Sequence, residues 1–243
     1  MRISVAMATY NGARYLGEQL DSILSQLGPE DEVILSDDGS ADGTVELIEE
    51  YAAKDSRIRK VTGPGNGVIA NFEYAISLCE GDVIFLADQD DRWMPDKVRH
   101  VMDVFEAKPD VVLVMHDARV MTEDLEEVMM PSFFAYRGSK AGVMASFVKN
   151  SYMGCCMAFR RKLVEKALPI PKDLPMHDQW IGLISDKCYG KSYLMREQLL
   201  LYRRHPDAVS DFDHNSVWIM IRNRLMILGE FCKRIHMVKG NEV

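Results

Sequence analysis

No uninterrupted apolar stretch of about 18 residues occurs in the sequence, so nothing in it reads as a bilayer-spanning helix. Basic residues are not in excess either. Lys and Arg number 29 against 37 Asp and Glu, and the net charge of −8 argues against a nucleic-acid binder. The five cysteines lack zinc-type spacing. The vicinal pair Cys155-Cys156 reads as core packing rather than as reactive thiols. A Gly-rich phosphate loop with lysine is missing, and so is an aspartate-nucleophile motif after the first strand; both absences count against nucleotidyltransferase and phosphohydrolase chemistry. Neither an internal repeat nor a low-complexity tract is present. The run Met1 to Ala8 has too short an apolar core and no cleavage pattern for a signal peptide, so a reducing cytoplasm is the expected compartment.

What is present suits one large α/β domain. Hydrophobic residues make up 47% of 243, enough to fill a core and to exclude wholesale disorder. Ile3–Ala8, Glu32–Ser36, Ile58–Thr62, Val83–Ala87 and Val111–Met115 read as buried strands. Between them, apolar residues at helical spacing predict helices ending before Gly28-Pro29, over about 43–53, over 68–79 and over 96–107. Such alternation implies a Rossmann-like, mostly parallel sheet with right-handed crossovers and helices on its faces. After residue 120 the alternation weakens. Residues 122–142 read as an irregular loop or lid, Met153–Phe159 as a strand, Arg160–Ala167 as a short helix and Leu168–Pro175 as a linker. A helix from His177, a strand Tyr193–Tyr202 and a final helix from Val217 follow.

In a parallel sheet, ligands bind beyond the carboxyl ends of the strands. That rule places Thr9-Tyr10-Asn11, Asp37-Asp38-Gly39-Ser40 and Asp88-Gln89-Asp90-Asp91 on one rim. Crowded carboxylates repel, and a cation among them relieves the repulsion; Mg²⁺ and Mn²⁺ favour such oxygen ligands. Residues alone leave three readings open: a metal-dependent transferase, another metal-dependent nucleotide enzyme, or a non-catalytic nucleotide-binding subunit.

These three motifs, with His177-Asp178 farther along, resemble the family 2 glycosyltransferases of GT-A fold over roughly residues 2–205. The Asp-Gln-Asp-Asp-x-Trp form and Tyr202-Arg203-Arg204-His205 are similar to the rhamnosyltransferase-like branch. The resemblance implies an inverting, metal-dependent transfer from a dTDP-, UDP- or GDP-sugar to a saccharide or lipid-linked acceptor in cell-surface polysaccharide synthesis. It places Thr9, Tyr10 and Asn11 on base and ribose, Asp38 on pyrimidine or ribose, and Asp88 between ribose and metal. Asp90 becomes the direct ligand of Mg²⁺ or Mn²⁺ and Asp178 the base. His205 is either a further metal ligand or a structural histidine, with Arg203 or Arg204 compensating diphosphate charge. Asn66 and Asn71 fall where the family has a polar donor, although Asn66 beside glycines also suits a turn. Asp37 reads as a turn or cap residue, and Asp91 as a turn, cap or acceptor-side residue.

The expected division is a nucleotide-sugar half at 1–115, an acceptor half of the same domain at 116–215, and a C-terminal helix at 216–243. That helix is basic and apolar in an acidic chain. It suits a contact with an anionic membrane face, with a partner subunit such as a second copy, or with its own domain. Members of the branch often run longer at the C-terminus.

Overall fold

The computed structural model describes residues 1–206 and 217–240. Its first half follows the hydrophobic pattern closely. β1 (Ile3–Thr9), β2 (Glu32–Asp37), β3 (Ile58–Thr62) and β4 (Val83–Ala87) alternate with α1 (Ala13–Leu24), α2 (Thr44–Lys54) and α3 (Val68–Ser77). β1, β2 and β4 are buried nearly throughout, as strands covered on both faces must be. α1 buries Leu16, Leu20 and Ile23 along one stripe, with Gln19 beside them. β1 pairs in parallel with β2 and with β4, and β2 with β3. The register sets Thr9 beside Asp37 and Met7 beside Ala87, so the three polar clusters leave the sheet at one edge.

The second half is built differently. β5 (Arg92–Trp93) and α4 (Lys97–Ala107) lead to β6 (Leu113–Met121), β7 (Val128–Met130), α5 (Phe133–Arg137) and α6 (Val143–Val148). A 3₁₀ turn at Gly154–Cys156 opens β8 (Met157–Arg160); a second at Arg161–Leu163 opens α7 (Val164–Ala167). α8 (His177–Cys188), β9 (Tyr193–Arg203) and α9 (Val217–Gly240) complete the described chain. β8 inserts between β4 and β6, antiparallel to both, while β9 lies parallel to β6 and β5 antiparallel to β9. The result is one mixed sheet of order β3-β2-β1-β4-β8-β6-β9-β5, with β7 on β6.

Two expectations change here. Residues 122–142, expected to be an irregular loop or lid, carry two short elements, β7 and α5, between loop segments. Buried Asp117 accepts bonds from Ser132 Oγ at 2.5 Å and Phe134 N at 2.9 Å, which fix β7 and α5 against β6. The expected strand at Met153–Phe159 begins as a 3₁₀ turn, and only Met157–Arg160 is extended. β5 was too short to show any period. Cys155 and Cys156 are both buried, in line with core packing.

α9 packs on its own domain through Ile227 and Phe231. The Arg234 guanidinium donates to the carbonyls of Lys166 and Leu168 and lies 5.3 Å over the Trp180 ring. Its outward face exposes Trp218, Ile221, Leu225 and Leu228. No described helix is long and apolar enough to cross a membrane. The expected boundary at 215/216 falls outside the described residues.

Candidate active site

At the joined ends of β1 and β2, polar groups are spent largely on one another. Asp37 shapes the turn that follows β2: its carboxylate accepts from the Gly39 and Ser40 amides and from the Thr9 and Ser40 hydroxyls. Asn11, in the left-handed region at φ 49, accepts from Ala41 N at 2.9 Å, and its own amide donates to Ser40 Oγ. Asp38 accepts from Gly65 N at 2.7 Å and Gly67 N at 2.9 Å, which draws the 63–67 loop against the end of β2. The approach is tight. A Cβ on Gly63 would stand 2.6 Å from both Asp38 Oδ1 and Asn71 Oδ1, so only glycine fits.

Two residues expected on the nucleotide turn out to be braces. Thr9 is 1% exposed, and its hydroxyl faces Ser36 O and Asp37 Oδ1. Asn71, also 1% exposed, donates from Nδ2 to Ser36 O at 2.8 Å and Thr9 O at 3.3 Å. It shares the Ser36 carbonyl with the Thr9 hydroxyl and the Thr9 carbonyl with the Asp38 amide. Asn66 donates to Pro64 O within its own turn, so turn chemistry describes it. Tyr10, 59% exposed, and half-exposed Asp38 remain on the open rim.

Gln89 ties this wall to the aspartates, a role that sequence reasoning missed. Its amide mimics a peptide, donating to Tyr10 O and accepting from Tyr10 N, each at 2.9 Å. A Cβ on Gly12 would lie 2.2 Å from Gln89 Oε1, which explains the glycine after Asn11.

Beyond β4 the aspartates separate into distinct roles. Asp90 Oδ2 lies 2.9 Å from His205 Nε2. The His205 ring packs on Tyr15 at 4.8 Å, and its buried Nδ1 has no partner. Arg203, expected near a diphosphate, is instead buried. It donates to Asp90 O at 2.7 Å, binds the Glu123 carbonyl and the Glu18 carboxylate, and lies over Tyr15. Asp91 is neither a cap nor exposed to an acceptor. Fully buried, it accepts from Arg203 N at 3.0 Å and so pins the end of β9, which leads to His205.

Asp88 is only partly buried, yet burial, and then the charge of Asp90, push its carboxyl up to about 7. Asp178, at the start of α8, adds to that repulsion, so it lies near enough for its charge to act on Asp88. Burial raises Asp178 itself to about 6, against bonds from the Gln179 and Gly154 amides. Its neighbour His177 stacks on Phe72 of α3, with ring centres 4.4 Å apart, which brings the start of α8 to the donor half. Burial lowers the His177 imidazole to about 4, so it is neutral near pH 7.

Two groups of side chains here could hold a cation. Asp88, Asp91 and Cys155 have ligand atoms within 4.8 Å of one another. A thiol suits Mg²⁺ or Mn²⁺ poorly, and the buried Lys97 ammonium already acts on this group. Asp90 with His205 fits better: one oxygen and one nitrogen meet at the rim, and the second imidazole nitrogen is unpartnered.

The model of glycosyl transferase family 2 matches residues 4–168. An uncharacterized glycosyltransferase of Nostoc, alr2836, is 28% identical over 213 residues, covering 84% of this chain and 65% of that protein. The chain thus spans just under two thirds of that curated relative. The dTDP-rhamnosyl transferase RfbG of Shigella flexneri is 25% identical over 217 residues, covering 82% of this chain and 71% of that one. Among solved structures, a Pyrobaculum calidifontis mannosyltransferase in complex with GDP-Man and Mn²⁺ shares the fold. Its TM-score is 0.64 at 20% identity, covering 92% of this chain and 61% of that one.

Proposed function

The chain belongs to glycosyl transferase family 2, and from that premise we propose that it transfers a sugar, with inversion, from a nucleoside diphosphate to a saccharide or lipid-linked saccharide. The observation that carries this reading is Asp178: a carboxyl at the start of α8, raised to about 6 by burial and near enough to Asp88 for its charge to act on it. A base of that strength is ionised at neutral pH and still takes a proton from a sugar hydroxyl. Asp178 would accept the acceptor's proton on the face opposite the departing diphosphate. Tyr10 and Asp38 would contact the nucleoside, while Thr9, Asn11, Asn71 and Gln89 keep that wall in shape.

Asp90 and His205 would hold a divalent ion, with Asp88 beside it. Such an ion, when bound, neutralises charge on the leaving diphosphate. The Mn²⁺ in the Pyrobaculum structure supports that assignment. The Shigella relative's name supports dTDP-rhamnose as one donor to test first, alongside UDP- and GDP-sugars.

Thermal-shift screening of nucleoside diphosphates and their sugars, with and without Mn²⁺, tests the proposal. One nucleoside class should raise the melting temperature in a Mn²⁺-dependent way. If no nucleotide shifts it under either condition, a non-catalytic role replaces this reading.

A further inference from the structure

Lys97 opens α4 with its side chain entirely inside the protein, at 0% exposure. Its Nζ donates to Cys155 O at 2.9 Å and sits 4.0 Å over the Trp93 ring. Taking an ammonium out of water is costly, and one carbonyl with one aromatic face offsets only part of that cost. Asp88 and Asp91 lie within 4.8 Å of the Cys155 thiol, and the buried Asp91 Oδ2 has no partner. Burial lowers the Lys97 ammonium to about 8, while Cys156, Cys155, Asp91 and Asp88 hold it up, so it is charged at neutral pH.

Three parts of the site meet at this point. The Gly154–Cys156 turn offers Lys97 the Cys155 carbonyl and, one residue earlier, offers Asp178 the Gly154 amide. Asp91 carries the amide of Arg203 at the end of β9, two residues before His205. Asp88 and Asp90 flank Gln89 at the rim. Fixing Lys97 therefore fixes the separation between the metal-side carboxylates and the base.

We propose that Lys97 is a positioning residue: through the Cys155 carbonyl, its ammonium holds the turn that cradles Asp178. This rests on Asp178 as base and Asp90 as metal ligand. It explains why a charged side chain occupies a closed site that a methionine would fill at similar volume.

The test uses the full chain with Mn²⁺ and the donor found by the screen above. Lys97→Met should lower kcat about 10–100-fold, the scale of a small misplacement of reacting groups, and leave the donor KM within about threefold. Hydrogen–deuterium exchange at residues 153–157 should accelerate in the same variant. Lys97→Gln keeps a donor for the Cys155 carbonyl without the charge and should fall between wild type and Lys97→Met. It also serves in place of Lys97→Met if that protein does not fold.

The proposal is overturned by a folded Lys97→Met with kcat within about twofold of wild type, or by a KM that rises in step with the kcat loss. Failure of the underlying reading looks different: transfer would be absent in wild type or indifferent to Asp178→Ala. In that event exchange at 153–157 still decides the matter, and unchanged exchange in Lys97→Met refutes the tie.

Discussion

The nucleotide wall, at the ends of β1 and β2, and the floor of Asp88, Asp90, Asp178 and the two histidines differ in how their charged groups are held. In the wall, Thr9, Asn11, Asp37 and Asp38 spend their side chains on neighbouring amides and hydroxyls, and the buried atoms left without partners, Ser36 Oγ and Asn71 Oδ1, are neutral. On the floor, His205 Nδ1 and His177 Nε2 are buried without partners, and two carboxyls are raised by burial. A wall whose carboxylates are bonded holds its shape before a ligand arrives. An unsatisfied floor costs stability, and such groups concentrate where charge and protons must move.

The largest effect expected from breaking this contrast is on the floor. Asp178→Asn should cut transfer about 10²–10⁴-fold while calorimetry finds donor affinity unchanged. In the wild-type protein, kcat/KM should fall as pH drops through about 6, because the raised Asp178 carboxyl then takes up a proton and ceases to be a base. A profile flat down to pH 5 would remove Asp178 from that role.

His205→Ala comes next. Mn²⁺-dependent donor affinity should weaken about 10-fold or more, the usual scale for disturbing a metal site, and metal-free nucleotide binding should be unmoved.

Asn71→Ala tests the wall. It should lower unfolding free energy in urea by about 1–3 kcal/mol, the net worth of the buried hydrogen bonds it loses, and leave the donor KM of the folded protein alone. A raised KM at full stability would return Asn71 to the nucleotide.

The smallest effect is expected from Asp88→Asn. The folded state binds this proton more tightly than the unfolded chain, so the group's contribution declines as pH rises from near 4 to about 7 and stays low above that. The substitution should therefore stabilise the metal-free protein by about 1–2 kcal/mol at pH 8 and change little at pH 4.

Legibility in the sequence follows the same line. β1 to β4 and their helices could be read because each strand is a short apolar run and each helix carries a 3.6-residue stripe. The floor residues Asp88, Asp90, Asp178 and His205 stood out as motifs. Their companions did not. Nothing local marked Gln89, whose amide meets the Tyr10 backbone. Nothing local marked Lys97 either, and Arg203, expected to compensate diphosphate charge, is buried like it.

By itself the sequence determined the βα half, the rim where its strands end, and the order of the motifs, because local periodicity and turn chemistry are short-range properties. Only the tertiary structure decided which polar residues face a ligand and which brace the wall. Thr9 and Asn71 both turn inward onto the Ser36 carbonyl, an arrangement that exists only once β1, β2 and α3 meet. β8 was inserted beside β4 from a distant part of the chain, and this placed Cys155 over Lys97 and Gly154 beside Asp178. Burial and charge of that kind depend on neighbours far apart in sequence, and no local pattern encodes them.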